Sequence, residues 1–380
     1  MTDASGRIVR RGGALAVGLG VVGFAVAVTR GTAPRAWEVF LVNLLFWLGI
    51  AQGGVVVSAS LYLTQARWGG ASVYRLAEAF AGFLPLGALL FWVLLPGRAL
   101  LFPWVRQPLP EKAAWLNIPF LFGRDGGGLL LMAAVSFWFV RASRGNDAVG
   151  WAESADSIDL PPARIRRLAP LLIVIYAIVY SLLAFDLVMS LSPLWHSTLF
   201  GAYFFAGAYW SALAAMGALA SLGWRPQPLN GTDDRQSLHD LGKLVFAFSI
   251  FWAYLMWSQY LPIWYAGLPE ETFFVVQRVH RMPWEVLAWS VLVLIWVIPF
   301  VGLMSRQAKR TPPVLGTVCL LGLIGMWLER YVLVTPSLSS TRIPFGWVEI
   351  LVTTGFAGTF ALCALPGLRL AAAPVDGGRA

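Results

Sequence analysis

With two cysteines and three histidines, this 380-residue chain has few residues from which to build a redox or metal centre. Cys319 and Cys363 stand apart, each inside an apolar run, and read as packing residues rather than as a disulfide or ligands. Covalent haem needs C-x-x-C-H and an iron–sulfur cluster needs grouped thiolates; neither pattern occurs. His196, His239 and His280 fall at or beyond the ends of apolar runs. No two of them form the matched intramembrane pair that a b-type haem requires. The glycine-rich stretch GRDGGG, residues 123–128, has no preceding strand and no following G-K-[ST], so it is not a phosphate loop. No redox cofactor is expected on this chain.

Charge is also scarce. Asp, Glu, Lys and Arg make up 12% of the residues, against about 25% in soluble domains. Hydrophobic residues make up 58%. No segment between apolar runs is long enough to bury a core of its own. The net charge of +9 comes without a basic run interleaved with aromatics, which argues against nucleic acid as a partner. These deficits leave one class, an all-α integral membrane protein in a lipid bilayer.

What the chain does have is apolar length. Ten spans are predicted, at 13–29, 38–63, 78–101, 118–140, 168–192, 197–222, 241–265, 284–304, 313–333 and 345–368. The first follows Arg7, Arg10 and Arg11 and has a signal-peptide flavour, but is read as a retained helix. Nineteen Trp and ten Tyr, many near span ends, suit interfacial belts. The spans can be divided into a first bundle over residues 38–192 and a second over 197–333, with one span outside each. Residues 141–167, acidic and Pro-containing, read as a linker. Counting Lys and Arg loop by loop puts seventeen on the side of the amino terminus and seven on the other, which predicts both termini in the cytoplasm.

The organising stretch is the hairpin over residues 168–222, whose first arm carries Asp186. A carboxylate within a membrane span is costly unless it faces a bundle interior or a wet cavity. Ser190 lies one turn further on, and Glu38, Arg98, Arg124 and Asp125 share the outer half of the first bundle. Grouped together, these residues could contact a quinone headgroup or start a proton path. The alternative is a structural ion pair in which Arg98 or Arg124 satisfies Asp186. A second group, Ser237, His239, Asp240 and Lys243, opens the seventh span. It reads either as a capping box with an ion pair or as a proton entry continued by Tyr254 and Ser258. Glu285, Glu329, Arg330 and Glu349 lie towards the outer ends of the last three spans. Glu329 and Arg330 read as an anchoring pair or as a conduction element.

The string FDLVMSLSPLWHSTLFGAYFFAG, residues 185–207, resembles the NrfD-like membrane subunits of the polysulfide reductase family. Taken with HDLGKLVFAFSIFWAYLMWSQYLPIWYAGLPEET, residues 239–272, the resemblance narrows to the ActF type, the second NrfD-like subunit of alternative complex III. It is strongest over about residues 165–335; the earlier part, including WEVFLVNLLFWLGIAQGG, matches mainly in span pattern. The resemblance implies two four-helix bundles, spans 2–5 and 6–9, flanked by two extra helices. It also implies a prokaryotic inner-membrane complex that oxidises quinol. Iron–sulfur clusters and c-type haems would lie on partner subunits, beside a sister NrfD-like chain. Asp186 matches the family's intramembrane Asp, and Asp240 with Lys243 match its HDLGK stretch. The quinone-site His expected of the sister subunit has no counterpart in spans 2–5 here. Three functions follow: a non-catalytic, proton-conducting or scaffolding subunit of such a complex; a quinone-binding anchor of a polysulfide-reductase-like enzyme; and a secondary transporter. The last would call for matched broken spans in the two halves. Pro85 and Pro262 interrupt spans 3 and 7 without forming such a pair.

Overall fold

The computed structural model describes residues 3–66, 68, 70–153, 160–223, 234–339 and 341–371. Among them it is helical with no strand, and ten helices are long and apolar enough to cross a membrane. In chain order these are α1 (Asp3–Thr29), α2 (Ala33–Leu63), α3 (Ala71–Trp92), α4 (Ile118–Ser143) and α5 (Ala163–Leu187). They are followed by α6 (Phe200–Ser221), α7 (Asp234–Ala266), α8 (Trp284–Gly302), α9 (Pro312–Leu338) and α10 (Trp347–Ala371). The chain is a multi-pass membrane protein. All-helical construction is what a bilayer demands, since each backbone N–H and C=O must find its partner within the segment.

The span count holds, while three helix starts move, the first of them to Asp3 from the expected 13. Helix in the third span begins at Gly70, before the expected 78, and passes through a 3₁₀ turn at Phe80–Phe83 ahead of Pro85. Arg75 and Glu78 make its first turns look polar to a hydropathy window, yet Val73, Tyr74, Leu76 and Ala77 are buried. The seventh helix likewise starts at Asp234 rather than 241. Part of the expected linker at 141–167 is helix, Asn146–Glu153, whose Trp151 packs on Tyr62; residues 154–159 lie outside the described set.

The core sits where the first helices of the two groups meet. Of the apolar window of α2, 94% is buried inside the protein, and of α6, 83%; the corresponding figure for α8 is 17%. Helix α2 packs along α6, and each also contacts α5 and α9. Within the first group α4 lies against α3 and α5, and within the second α6, α7, α8 and α9 pack on one another. Helix α1 lies along α10, outside both groups. Small residues permit the central contact, as is usual where lipid offers no hydrophobic drive to helix association. A Cβ on Gly53 would lie 2.6 Å from the Ala208 carbonyl oxygen and 2.9 Å from the Ala212 Cβ. Gly53→Leu is therefore expected to destabilise the fold by about 1–3 kcal/mol, whereas Gly127→Leu, with nothing within 4 Å, is tolerated. The fraction of monodisperse protein after a heat ramp in detergent checks both.

Candidate functional site

Asp186 lies in the last turn of α5, fully buried. Its Oδ2 accepts from Arg124 Nε at 2.9 Å and Nη2 at 2.7 Å, and its Oδ1 from Trp115 Nε1 at 2.9 Å. Ser190 donates its hydroxyl to the Asp186 carbonyl oxygen at 2.5 Å, fastening the following 3₁₀ turn. Arg124 is placed by the start of α4, where the Asn117 side chain caps the Phe120 N–H and Pro119 occupies the first turn. Its guanidinium lies over the Trp115 ring at 3.9 Å and the Phe120 ring at 4.2 Å. Of the two expected partners, Arg124 takes Asp186; Arg98 is exposed and donates to the Leu95 carbonyl of its own helix. Trp115, in the loop before α4, carried no signal in the sequence beyond its aromatic character.

Asp125, next to Arg124, is also buried, with no hydrogen-bond donor to either carboxylate oxygen among the described residues, and it feels the charge of Asp186. Two ionised carboxylates only accept hydrogen bonds and repel one another. The site thus holds two acids and one guanidinium. The glycines of GRDGGG lie within α4 and let neighbours close on it: a Cβ at Gly126 would meet Trp92 at 2.6 Å, and one at Gly128 would meet Val179 at 3.2 Å.

A second acid lies towards the opposite end of the first bundle, and it was not singled out from the sequence. Glu78 on α3 is 1% exposed; Ser58 on α2 donates to its Oε1 at 2.9 Å, and Arg144, at the end of α4, stands 3.6 Å from its Oε2. Tyr62 and Ser143 pair at 2.9 Å, and deeper in the bundle Gln52 donates to Ser136 at 2.9 Å. From Ser136 to Asp125 is about 16 Å along α4 by helical rise. That interval contains buried Leu129, Met132 and Val135. Polar groups therefore occupy both ends of the bundle, with an apolar layer between them.

The other expected residues lie elsewhere. Glu38 does not join Asp186: it accepts from Ser339 at 3.2 Å, near the Arg35–Glu349 pair. Asp240 is met by Lys243 at 2.5 Å, by Gln236 at 3.0 Å and by His239 at 3.6 Å; Arg310 secures Gln236 at 2.7 Å. Ser237 is no cap, because α7 begins before it; its hydroxyl donates to the Trp68 carbonyl at 3.3 Å, tying this cluster to the loop between α2 and α3. Burial, and then Lys243, hold the nearby Lys309 ammonium below its ordinary pKa. Tyr254 is 62% exposed and turns away from the bundle, while Ser258 is half-buried, so the face continuing from Lys243 is not lined by both.

In the second bundle Glu329 and Arg330 form a buried pair at 2.9 Å, with Arg330 donating to the Phe204 carbonyl at 3.2 Å. Glu329 lines a cavity of about 130 Å³ together with Tyr203, Trp252, Gln259 and Arg278. Beyond the Arg330 contact at Oε2, the Glu329 Oε1 and the Gln259 Oε1 have no hydrogen-bond donor among the described residues. Arg278, expected only as a topology-setting loop residue, is buried on the short helix Pro269–Val279. The carbonyls of Phe274, Val332 and Leu333 and the Ser337 hydroxyl hold it there, and burial pushes its pKa down. The hairpin turn docks on the same helix through Trp195, stacked on Phe274 at 3.7 Å. Glu285 lines a different recess, with Met282 and Trp289. Cys319 fills the α6–α9 contact, where a Cβ on Gly217 would meet its Sγ at 2.6 Å.

The buried ion pair makes an energetic statement. Arg124→Gln leaves the Asp186 charge with Trp115 alone and is expected to cost about 3–5 kcal/mol. Adding Asp186→Asn removes the stranded charge, so the double variant should be more stable than Arg124→Gln. Unfolding midpoints of the four proteins of this cycle in detergent measure the difference.

Residues 27–341 match the family described as "Polysulphide reductase, NrfD". No curated protein matches the chain.

Proposed function

Because the chain belongs to the NrfD family, membrane subunits of polysulfide-reductase-like complexes, we propose that it is the ActF-type subunit of an alternative complex III. In that role it scaffolds a quinol-oxidising assembly and conducts protons without a redox cofactor of its own. Its partners are a second NrfD-like chain, an iron–sulfur subunit and c-type cytochrome subunits, which carry the clusters and haems. The assembly lies in a prokaryotic inner membrane with both termini of this chain in the cytoplasm.

The observation that carries the conduction reading is the arrangement of acids in the first bundle. The Asp125–Asp186 pair with Arg124 occupies one end, and Glu78 with Ser58 and Arg144 occupies the other. One proton on the aspartate pair leaves that site neutral beside its guanidinium, and removing it leaves a net negative charge. Arg124 and Trp115 hold Asp186 in place through either state, so Asp125 is the member free to exchange. On the other side the His239–Asp240–Lys243 cluster is tied by Ser237 to the loop from which α3 runs to Glu78, and is the entry this reading assigns. The apolar layer around Leu129 and Met132 prevents an open leak, so transfer across it would need transient water. Tyr254 has no part in this path.

A quinone-anchor reading has one observation in its favour. The Glu329 Oε1 and the Gln259 Oε1, both without a donor among the described residues, belong to side chains that line a cavity and could take hydrogen bonds from a hydroquinone headgroup. A photoreactive quinone crosslinking to α7 or α9 would support that reading.

The conduction reading is tested with the whole complex in sealed liposomes carrying a pH dye. Asp125→Asn, Asp186→Asn and Glu78→Gln are each expected to assemble and oxidise quinol, with proton translocation reduced about tenfold or more. Unchanged proton yield per electron in all three would reject a path through this bundle.

A further inference from the structure

Helix α4 ends with Arg141 in its last turn, and α5 opens with Arg164, Arg166 and Arg167 in its first two turns. A recess of about 700 Å³ lies between these helix ends. It is lined by Arg141, Arg164 and Arg167 on one part and by Phe137, Trp138 and Leu168 on the other. None of the three arginines pairs with a carboxylate among the described residues.

The start of α5 breaks a local rule. A helix N-terminus is the positive end of the macrodipole and favours acids, yet this one has no acidic residue in its first turn and three arginines nearby. Its N-cap residue is Pro162, which supplies no capping side chain and whose carbonyl takes the Ile165 and Arg166 N–H groups at 2.9 and 3.1 Å. Three cationic side chains lining one recess at the positive end of a helix, with no carboxylate partner among the described residues, describe an anion site. Phe137 and Trp138, 65% and 61% exposed, extend the recess along the membrane-facing surface of α4. An occupant with a phosphate head and hydrocarbon tails would meet both parts; a soluble anion would meet only the first.

We propose that this recess binds the headgroup of an anionic phospholipid, with the phosphate between Arg141, Arg164 and Arg167 and the acyl chains against Phe137 and Trp138. Three guanidiniums around one recess suit a headgroup with two phosphates better than one with a single charge. Basic recesses between membrane helices are established as sites of this chemistry. The site is separate from the proton path and holds whether or not that path exists.

The test uses the intact purified complex, stripped of lipid in detergent and then given cardiolipin, phosphatidylglycerol or phosphatidylcholine. Native mass spectrometry should find cardiolipin retained by the wild type. The triple variant Arg141→Gln/Arg164→Gln/Arg167→Gln should bind it about a hundredfold more weakly. Phosphatidylcholine should be unaffected, and the corresponding Arg→Lys triple variant, which keeps the charge, should recover part of the affinity. The lipid-free melting midpoint of the triple variant should equal that of the wild type. Equal cardiolipin retention by wild type and triple variant would overturn the proposal. So would full displacement of cardiolipin by millimolar inorganic phosphate. A third contrary result is a loss of lipid-free stability on neutralising Asp156 and Asp159 that matches the loss on neutralising the arginines, because the arginines would then serve the chain's own acidic stretch.

Discussion

A carboxylate shut away inside a bilayer-crossing bundle has to be met by donors, and the Asp186–Arg124 contact is where this protein meets that requirement. It joins the end of α5 to the start of α4, and through Trp115 it draws in the loop that precedes α4. Once those three segments are locked, Ser190 sets the turn that follows and Trp195 carries the hairpin onto Phe274. The pair is not a source of great net stability, because desolvating two charges offsets much of their attraction. Its importance is positional: neither partner can move without leaving the other unpaired.

The two halves of the molecule solve the problem of buried polarity differently. In the first bundle acids sit at both ends, each beside an arginine and separated by an apolar layer. In the second, Glu329 is paired with its neighbour Arg330 and borders a cavity, while Arg278 is held by backbone carbonyl oxygens and the Ser337 hydroxyl. A buried cation surrounded only by dipoles makes a rigid clamp, and Arg278 uses it to fix the short helix Pro269–Val279 to the end of α9. An acid that can take or release a proton makes a poorer clamp and a better relay. The proposed conduction therefore falls to the first bundle, and the loop-side arginine of the second serves as an anchor.

Small residues set how closely all of this can pack. Gly20 and Gly355 bring α1 against α10 almost backbone to backbone, and Gly53 does the same for α2 and α6. In the stretch GRDGGG, Gly126 and Gly128 face Trp92 and Val179, while Gly123 and Gly127 face open space. A run that looks like a loop motif in one dimension is thus a helix segment whose glycines admit bulky neighbours beside Arg124 and Asp125.

Class, number of spans and the presence of a buried acid at Asp186 were legible in the sequence, because each is a local signal: the length of an apolar run, or one charge inside it. Which arginine meets Asp186, the separation of Glu38 from it, the outward turn of Tyr254 and the burial of Glu78 and Arg278 were decided by tertiary structure. The physical reason lies in the solvent. A helix in water shows its core face as an apolar stripe, but a helix in lipid is apolar on both its protein-facing and its lipid-facing sides. Its rotation about its own axis is then hidden from hydropathy. Only the packing of glycines, rings and ion pairs between helices decides which side chains turn inward and whom they meet.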